Sequence, residues 1–214
     1  MFILNHHDSI AHQFLEGLRD INIQKDRLRF RTNLERLGQI LAYEISKALS
    51  YEEHTIATPL AKTNSKKLKS QPVLISILRA AMPFYNGFLN YFDEADSGFI
   101  GAYRKENEGE ELSIEFNYLA APLLAGKEVI IIDPMLATGK SLITTIDHLL
   151  QHGNPKKIHI AAAIAAPEGI DYIKENLKTP YQLWIGALDE KLNDKAYIVP
   201  GLGDAGDLSF GPKL

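Results

Sequence analysis

The chain contains no cysteine. That one absence removes a disulfide scaffold, a thiol nucleophile and a thiolate metal site, and it agrees with a cytoplasmic location. No apolar run reaches the length that crosses a bilayer, about 20 residues, so a membrane protein is not expected. The opening residues, Met1-Phe2-Ile3-Leu4-Asn5-His6-His7-Asp8, have neither a basic start nor a long apolar stretch, which excludes a secretory signal. Positive charge is in deficit. The 23 Lys and Arg against 27 Asp and Glu leave a net charge of -4, a field that does not favour nonspecific contact with nucleic acid. Internal repeats and low-complexity tracts are missing too.

Other chemical signatures fail on inspection. His148 and His152 have the spacing of a zinc-protease helix, but Leu149 stands where that motif requires Glu. Ser141 has no nucleophile elbow around it. His6-His7 and the acidic pairs Glu52-Glu53 and Glu110-Glu111 read as solvated surface.

What is present is an ordinary globular composition. The 214 residues are 45% hydrophobic and 23% charged, enough for one domain with a substantial core. Residues 9–20 read as a helix capped by Ser9, and residues 26–49 as a longer one. Leu34, Leu37, Leu41, Ile45 and Leu49 would form its buried face. Residues 55–70 alternate and then turn basic, which suggests a projecting β arm whose Lys66, Lys67 and Lys69 face solvent. From Pro72 onward strands and helices alternate. Strands are expected at 73–78, 98–103, 113–118, 128–133, 157–164 and 182–187, and helices at 82–92, 141–152 and 167–176. Gly153 and Pro155 supply stop signals after the second of these helices. Repeated βα units predict an α/β fold, a mostly parallel sheet with helices on both faces. Ligands in such sheets bind beyond the carboxyl ends of the strands. We expect a single domain over 1–214, divided into N-terminal helices and arm (1–71), α/β core (72–190) and a terminal loop (191–214).

The most informative stretch is Val129-Ile130-Ile131-Ile132-Asp133-Pro134-Met135-Leu136-Ala137-Thr138-Gly139-Lys140-Ser141. A buried β-branched strand ends in an acid, a short turn follows, and a helix opens. Free N–H groups at a helix start bind an anion, and hydroxyls add donors. The acid is placed to meet sugar hydroxyls or face a metal. A Walker A loop would need Gly at position 134, where this chain has Pro134. A dinucleotide fingerprint needs three glycines, and only Gly139 is available. The pattern therefore points to a phosphorylated sugar.

Other strand ends contribute as well. Arg79 follows an otherwise apolar strand and Arg104 ends the next. Two guanidinium groups beside an anion cradle suit a diphosphate, although each could instead serve a structural ion pair. The tail Tyr197-Ile198-Val199-Pro200-Gly201-Leu202-Gly203-Asp204-Ala205-Gly206-Asp207 is too rich in Gly and Pro for a helix or regular strand. Such a loop lets main-chain groups approach a flat ligand closely.

These segments together closely resemble the uracil phosphoribosyltransferases, a branch of the type I phosphoribosyltransferases. The resemblance rests on Asp-Pro-Met-Leu-Ala-Thr-Gly at 133–139, on Tyr-Ile-Val-Pro-Gly-Leu-Gly-Asp-Ala-Gly-Asp at 197–207, and on Ala165-Ala166-Pro167-Glu168-Gly169-Ile170. It runs from about the first helix to the end of the chain. It implies the type I phosphoribosyltransferase fold with a base-binding hood, and transfer of phosphoribose to uracil in pyrimidine salvage. It implies that Asp133, Pro134, Met135, Leu136, Ala137, Thr138, Gly139, Lys140 and Ser141 hold the ribose and 5-phosphate, and that Arg79, Arg104 and Asp204 serve the diphosphate. Tyr197, Ile198, Gly203, Asp204 and Ala205 would meet uracil, and Asp133, Arg104 and Asp204 would be the catalytic group. Mg²⁺ would be held mainly by the diphosphate, so no protein metal cage is expected. The resemblance also implies a homodimer or larger homo-oligomer, with GTP an effector in some relatives. Four positions depart from the family pattern: Ala81 and Pro83 replace glycines, Lys140 replaces a glycine, and Leu208 replaces an arginine. If position 140 needs a left-handed backbone, Lys costs about 1 kcal/mol there. The alternative reading is a catalytically weak or inactive regulator on the same fold that senses UMP or phosphoribosyl diphosphate.

Overall fold

The computed structural model describes residues 1–105 and 113–213, with the side chains of 102–105 and 113–117 outside the description. In chain order the elements are β1 (Phe2–Ile3), α1 (Ala11–Arg19), α2 (Arg27–Ser46), β2 (Tyr51–Ala57), β3 (Lys62–Leu68), β4 (Val73–Leu78), α3 (Met82–Leu89), β5 (Ser97–Lys105) and β6 (Ser113–Ala120). They continue with β7 (Glu128–Ile132), β8 (Met135–Leu136), α4 (Lys140–Leu150), β9 (Lys157–Ala165), α5 (Pro167–Asn176), β10 (Tyr181–Leu188), β11 (Lys191–Leu192), β12 (Ile198–Val199) and α6 (Ala205–Phe210).

The main sheet runs β1-β10-β9-β7-β4-β5-β6, and every neighbouring pair is parallel except β5 with β6. The central strands β4, β7, β9 and β10 are buried on both faces, which is why they read as continuous apolar runs. Leu74, Ile130, Ile132, Ala161, Ala163 and Trp184 face one core, shared with α1, α2 and α3. Val73, Ile75, Val129, Ile131, Ile158, Ile160 and Leu183 face the other, shared with α4 and α5. The two sets alternate along each strand, as the twofold period of a pleated chain requires.

The winding direction fixes where a ligand can sit. From β4 the chain first lays β5 on one side; β7, β9 and β10 then follow on the other. The reversal falls between β4 and β7, which are hydrogen-bonded neighbours. A crevice opens beyond the carboxyl ends of adjacent strands at such a point. Arg79 and Asp133 are the residues that emerge there.

The helices and the arm match the sequence reading with small shifts. Asp26 caps α2 by accepting from the Arg29 N–H at 3.1 Å, and the helix closes at Ser46 rather than 49. Ile10, not Ser9, is the residue before α1, although the Ser9 hydroxyl still accepts from the Ala11 N–H at 3.4 Å. The arm is an antiparallel hairpin of β2 and β3, with Glu52 opposite Lys67 and Glu53 opposite Lys66. The crossing of α2 on α3 was not legible in the sequence. It is made by Gly38 and Gly87, where an added methyl would meet the Phe84 or the Glu35 carbonyl at 2.2 Å.

At the amino end of the sheet, away from the crevice, lies a buried polar chain. The Trp184 indole donates to His159 Nδ1 at 3.0 Å, so the ring must donate from Nε2 to the Glu128 carboxylate, also at 3.0 Å. Lys156 reaches the other Glu128 oxygen at 2.8 Å. Burial pushes the His159 pKa down, outweighing the upward pull of Glu128. Burial raises that of Glu128, but the hydrogen bonds from Lys156 and His159 outweigh it and leave the carboxyl below its usual range. Both groups bind protons less readily folded than unfolded. Their contribution to stability is therefore complete at neutral pH and is lost as pH falls, first below about 6.5 for His159 and then below about 4.5 for Glu128. Urea unfolding followed at pH 7.5, 6 and 5 should give a steadily falling midpoint, and replacing His159 with Gln should flatten the upper part of that curve. A midpoint independent of pH in this range contradicts the assignment.

Candidate functional site

The first wall of the site grows from β7. Asp133 follows the strand directly; its N–H donates to the Ala161 carbonyl at 3.1 Å, and its carboxylate accepts from the Met135 N–H at 3.2 Å. The turn does not float. Met135 and Leu136 form β8 against β9, with the Ile164 N–H on the Pro134 carbonyl at 3.0 Å and the Ala166 N–H on that of Leu136 at 2.9 Å. Gly139 then adopts φ +75° and α4 begins. Behind the turn lies Gly169 of α5, where an added methyl would meet the Ala137 carbonyl at 2.2 Å. The resemblance at 165–170 thus has a physical basis: this segment carries the turn. The first amides of α4 have no acceptor within the helix; that of Lys140 meets the Thr138 hydroxyl at 3.4 Å, and Thr138, Gly139 and Ser141 line the crevice.

Lys140 is the first residue of α4 and is exposed. The expected backbone cost does not arise, because the left-handed residue is Gly139. Ala81 and Pro83 are equally compatible with their places. Ala81 precedes α3 in ordinary helical conformation, with φ -72°. Pro83 lies in the first turn, where its missing N–H costs nothing.

The second wall grows from β4. Arg79 follows Leu78 across a cis peptide bond. Its Nη2 donates to the Asp207 carboxylate at 3.2 Å and to the Gly211 carbonyl at 3.0 Å, while its buried Nε meets no acceptor among the described residues. Part of the ion-pair alternative is therefore realised, with a half-buried partner. The main chain of Arg104 lies within β5, opposite Ile114, rather than beyond the strand end. Its side chain and residues 106–112 of the acidic loop lie outside the described residues.

The third wall is the tail, and here the sequence expectation needs correction. The segment does form regular structure. β12 pairs antiparallel with β11, and α6 follows, capped by Asp204, whose carboxylate accepts from the Asp207 N–H at 2.9 Å. The glycines fall outside the helix or in its first turn, so the cap overrides their unfavourable propensity.

This hood is clamped by groups that were not legible in the sequence. Arg19 of α1 makes a two-pronged pair with the buried Asp189, one bond being 3.0 Å. The same carboxylate accepts from the Gly201 N–H at 2.8 Å, and Arg19 also donates to the Gly201 carbonyl at 3.1 Å. Gln24 reaches the Leu202 carbonyl at 3.1 Å, and Arg31 that of Ser209 at 2.8 Å. Leu208 packs half-buried on the core.

The three walls enclose one cavity of about 200 Å³. Arg79, Asp133, Met135, Leu136, Ala137, Thr138, Gly139, Ser141, Asp204 and Ala205 line it, and so do Ala80, Gly206 and Lys213, which the sequence reading had not singled out. For Lys213 a signal existed: it is the only cation beyond Lys195. Pro134 is buried behind the wall and Lys140 exposed beside it. Tyr197, Ile198 and Gly203 belong to the hood outside this wall; Ile198 is buried, whereas Tyr197 is 50% exposed. A larger hollow of about 570 Å³ near Phe14 and Asn33, between α1 and α2, holds none of these groups. Among the described residues no cluster of three His, Asp or Glu could hold a metal ion. Among the described residues the cavity thus offers a helix start with two hydroxyls, a guanidinium, an ammonium and two separate carboxylates, but no activated nucleophile.

Comparison with known proteins agrees with this geometry. The family model described as uracil phosphoribosyltransferase matches residues 5–212. A uracil phosphoribosyltransferase of Porphyromonas gingivalis is 46% identical over 206 residues, covering 96% of this chain and 95% of the relative. One from Thermococcus gammatolerans is 38% identical over 205 residues, covering 94% and 89%. Among solved structures, the AQ2163 protein of Aquifex aeolicus superposes with a TM-score of 0.85 at 35% identity, over 98% of both chains.

Two substitutions test the construction. Gly139→Ala forces a methyl to within 2.8 Å of the Gly169 carbonyl in a left-handed backbone. It should lower unfolding free energy by about 1–3 kcal/mol in urea titrations; an unchanged midpoint speaks against a rigid turn. Arg19→Met strands the Asp189 carboxylate, and thermal unfolding should report a loss of about 3 kcal/mol or more. A loss below 1 kcal/mol, which is roughly what an exposed pair contributes, would mean the clamp is not what holds the hood.

Proposed function

The chain belongs to the uracil phosphoribosyltransferase family, and from that premise we propose that it joins uracil to 5-phospho-α-D-ribose 1-diphosphate in this cavity, giving UMP and diphosphate. The observation that carries the reading is the common cavity: Arg79, Asp133 and Asp204, from three distant parts of the sequence, line one space.

In the reaction the bond from the anomeric carbon to the diphosphate oxygen breaks, with its electron pair leaving on diphosphate. A bond forms from uracil N1, whose proton passes to the departing diphosphate. The carbon passes through an oxocarbenium-like state, so the protein must position both partners, neutralise the leaving group and keep water away. The amides opening α4, with Thr138 and Ser141, bind the 5-phosphate. Asp133 accepts from the ribose hydroxyls and orients the sugar. Arg79 and Arg104 bind the departing diphosphate. The hood main chain around Ile198, Gly203, Asp204 and Ala205, with Tyr197 alongside, meets the pyrimidine. Uracil presents two carbonyl acceptors flanking one N–H, a pattern that neutral main-chain groups match.

Mg²⁺ fits the donor set. The wall has two separate carboxylates rather than a cage, which suits an ion held mostly by phosphate oxygens, with Asp204 and Asp133 as outer partners. When bound it supplies charge neutralisation on the diphosphate. The absence of strain at Ala81 and Lys140 supports a working enzyme over an inactive sensor. Assembly as a homodimer or larger is supported by the projecting hairpin, whose tip residue Leu60 is 97% exposed. A cytoplasmic setting and a GTP effector complete the proposal; no helix among the described residues is long and apolar enough to cross a membrane.

Purified protein supplied with Mg²⁺, phosphoribosyl diphosphate and one base at a time should convert uracil to UMP and leave cytosine, adenine and guanine unchanged. Turnover of a purine in place of uracil would overturn the base assignment while leaving the reaction class intact.

A further inference from the structure

We propose that Lys213 is a ligand of the substrate's diphosphate, delivered to the cavity by the strap that follows α6. The inference deepens the reaction assigned above and rests on it. Arg79 is the only cation on the described wall other than Lys213. One of its nitrogens is already engaged: Nη2 holds both the Asp207 carboxylate and the Gly211 carbonyl, which leaves the rest of the guanidinium to share the diphosphate with a second cation. Those two bonds have a consequence for the strap. They tie α6 and residue 211 to the end of β4, which brings Lys213, two residues further on, into the same wall.

Charge gives the lysine its role. Asp133 and Asp204 stand on the wall against Arg79 and Lys213, so the described wall is formally neutral with the lysine and negative without it. A diphosphate ester is a polyanion and enters a negative cavity only at an electrostatic cost. The 5-phosphate has its own place at the start of α4, where main-chain N–H groups and the Thr138 and Ser141 hydroxyls are the donors. The Lys213 ammonium, a mobile point charge on a flexible stem, suits the diphosphate, which arrives as one substrate's leaving group and departs as product. Leu208 leaves α6 without a cation of its own, and Lys213 is the sole positive group of the tail beyond Lys195.

The test uses the intact protein with Lys213→Ala and Lys213→Arg. Calorimetric binding of inorganic diphosphate with Mg²⁺, and separately of ribose 5-phosphate, is measured beside UMP formation. For Lys213→Ala, diphosphate affinity should fall roughly tenfold or more, the scale of one hydrogen bond to a charged group. KM for phosphoribosyl diphosphate should rise in step. Ribose 5-phosphate affinity and KM for uracil should stay at the parent values, and Lys213→Arg should recover most of the loss. Unchanged diphosphate affinity in Lys213→Ala, equal losses for both phosphates, or no recovery with Arg would each overturn the assignment. A parent protein that forms no UMP would instead overturn the reaction itself, so the two failures are distinguishable.

Discussion

One carboxylate, Asp189, holds the hood to the sheet. It sits just past β10, buried, and accepts from the Arg19 guanidinium of α1 and from the Gly201 N–H of the hood. The hood has little core of its own: Ile198, Leu202 and Ala205 are buried only because they lean on the cluster beneath α1 and α2. Apolar contact of this kind brings a segment close but fixes its position loosely. The directional bonds from Arg19, Gln24 and Arg31 do the fixing, and each is made to a main-chain carbonyl that would otherwise be left unpaired near the core. The N-terminal helices are therefore part of the site although none of their residues lines it.

The other half of the construction is the sheet. Reversal of the winding between β4 and β7 leaves a crevice, and the chain uses it economically. β4 delivers Arg79, β7 delivers Asp133, and the turn after β7 is pinned to β9 before α4 begins. Contact between Gly139 and Gly169 lets α5 approach that turn more closely than any side chain would allow. In the proposed reaction this turn would be the anion cradle, and the bonds to β9 and the close contact with α5 hold it in place, as electrostatic stabilisation without reorganisation requires. Arg79 then joins the two halves, since it reaches from the sheet to α6 and residue 211.

The sequence reading recovered what is written locally. The apolar runs gave the parallel strands, and the stop signals at Gly153 and Pro155 gave the end of α4 to within two residues. The acid, hydroxyls and glycine of 133–141 marked a strand, a turn and a helix start, and the structure has that order there, with Asp133, Thr138, Gly139 and Ser141 on one cavity wall. What it missed is written nonlocally. Arg19 and Asp189 are 170 residues apart, and neither stands in a motif. Gly38 and Gly87 look like helix weakeners until the crossing of α2 and α3 is seen. Gly and Pro dominate the composition of the tail and predict irregular chain, yet one capping carboxylate, Asp204, suffices to start α6. Lys213 was overlooked because its position depends on a guanidinium that leaves β4 more than a hundred residues earlier in the chain.

The most direct measurement is a crystal structure of the protein with UMP bound. Density for the phosphate on the amides opening α4, for the ribose hydroxyls beside Asp133, and for the pyrimidine against the main chain of 198–205 is expected within a single subunit. UMP bound elsewhere, or bound with its base turned away from the hood, would contradict the joining of sheet and hood into one catalytic cavity.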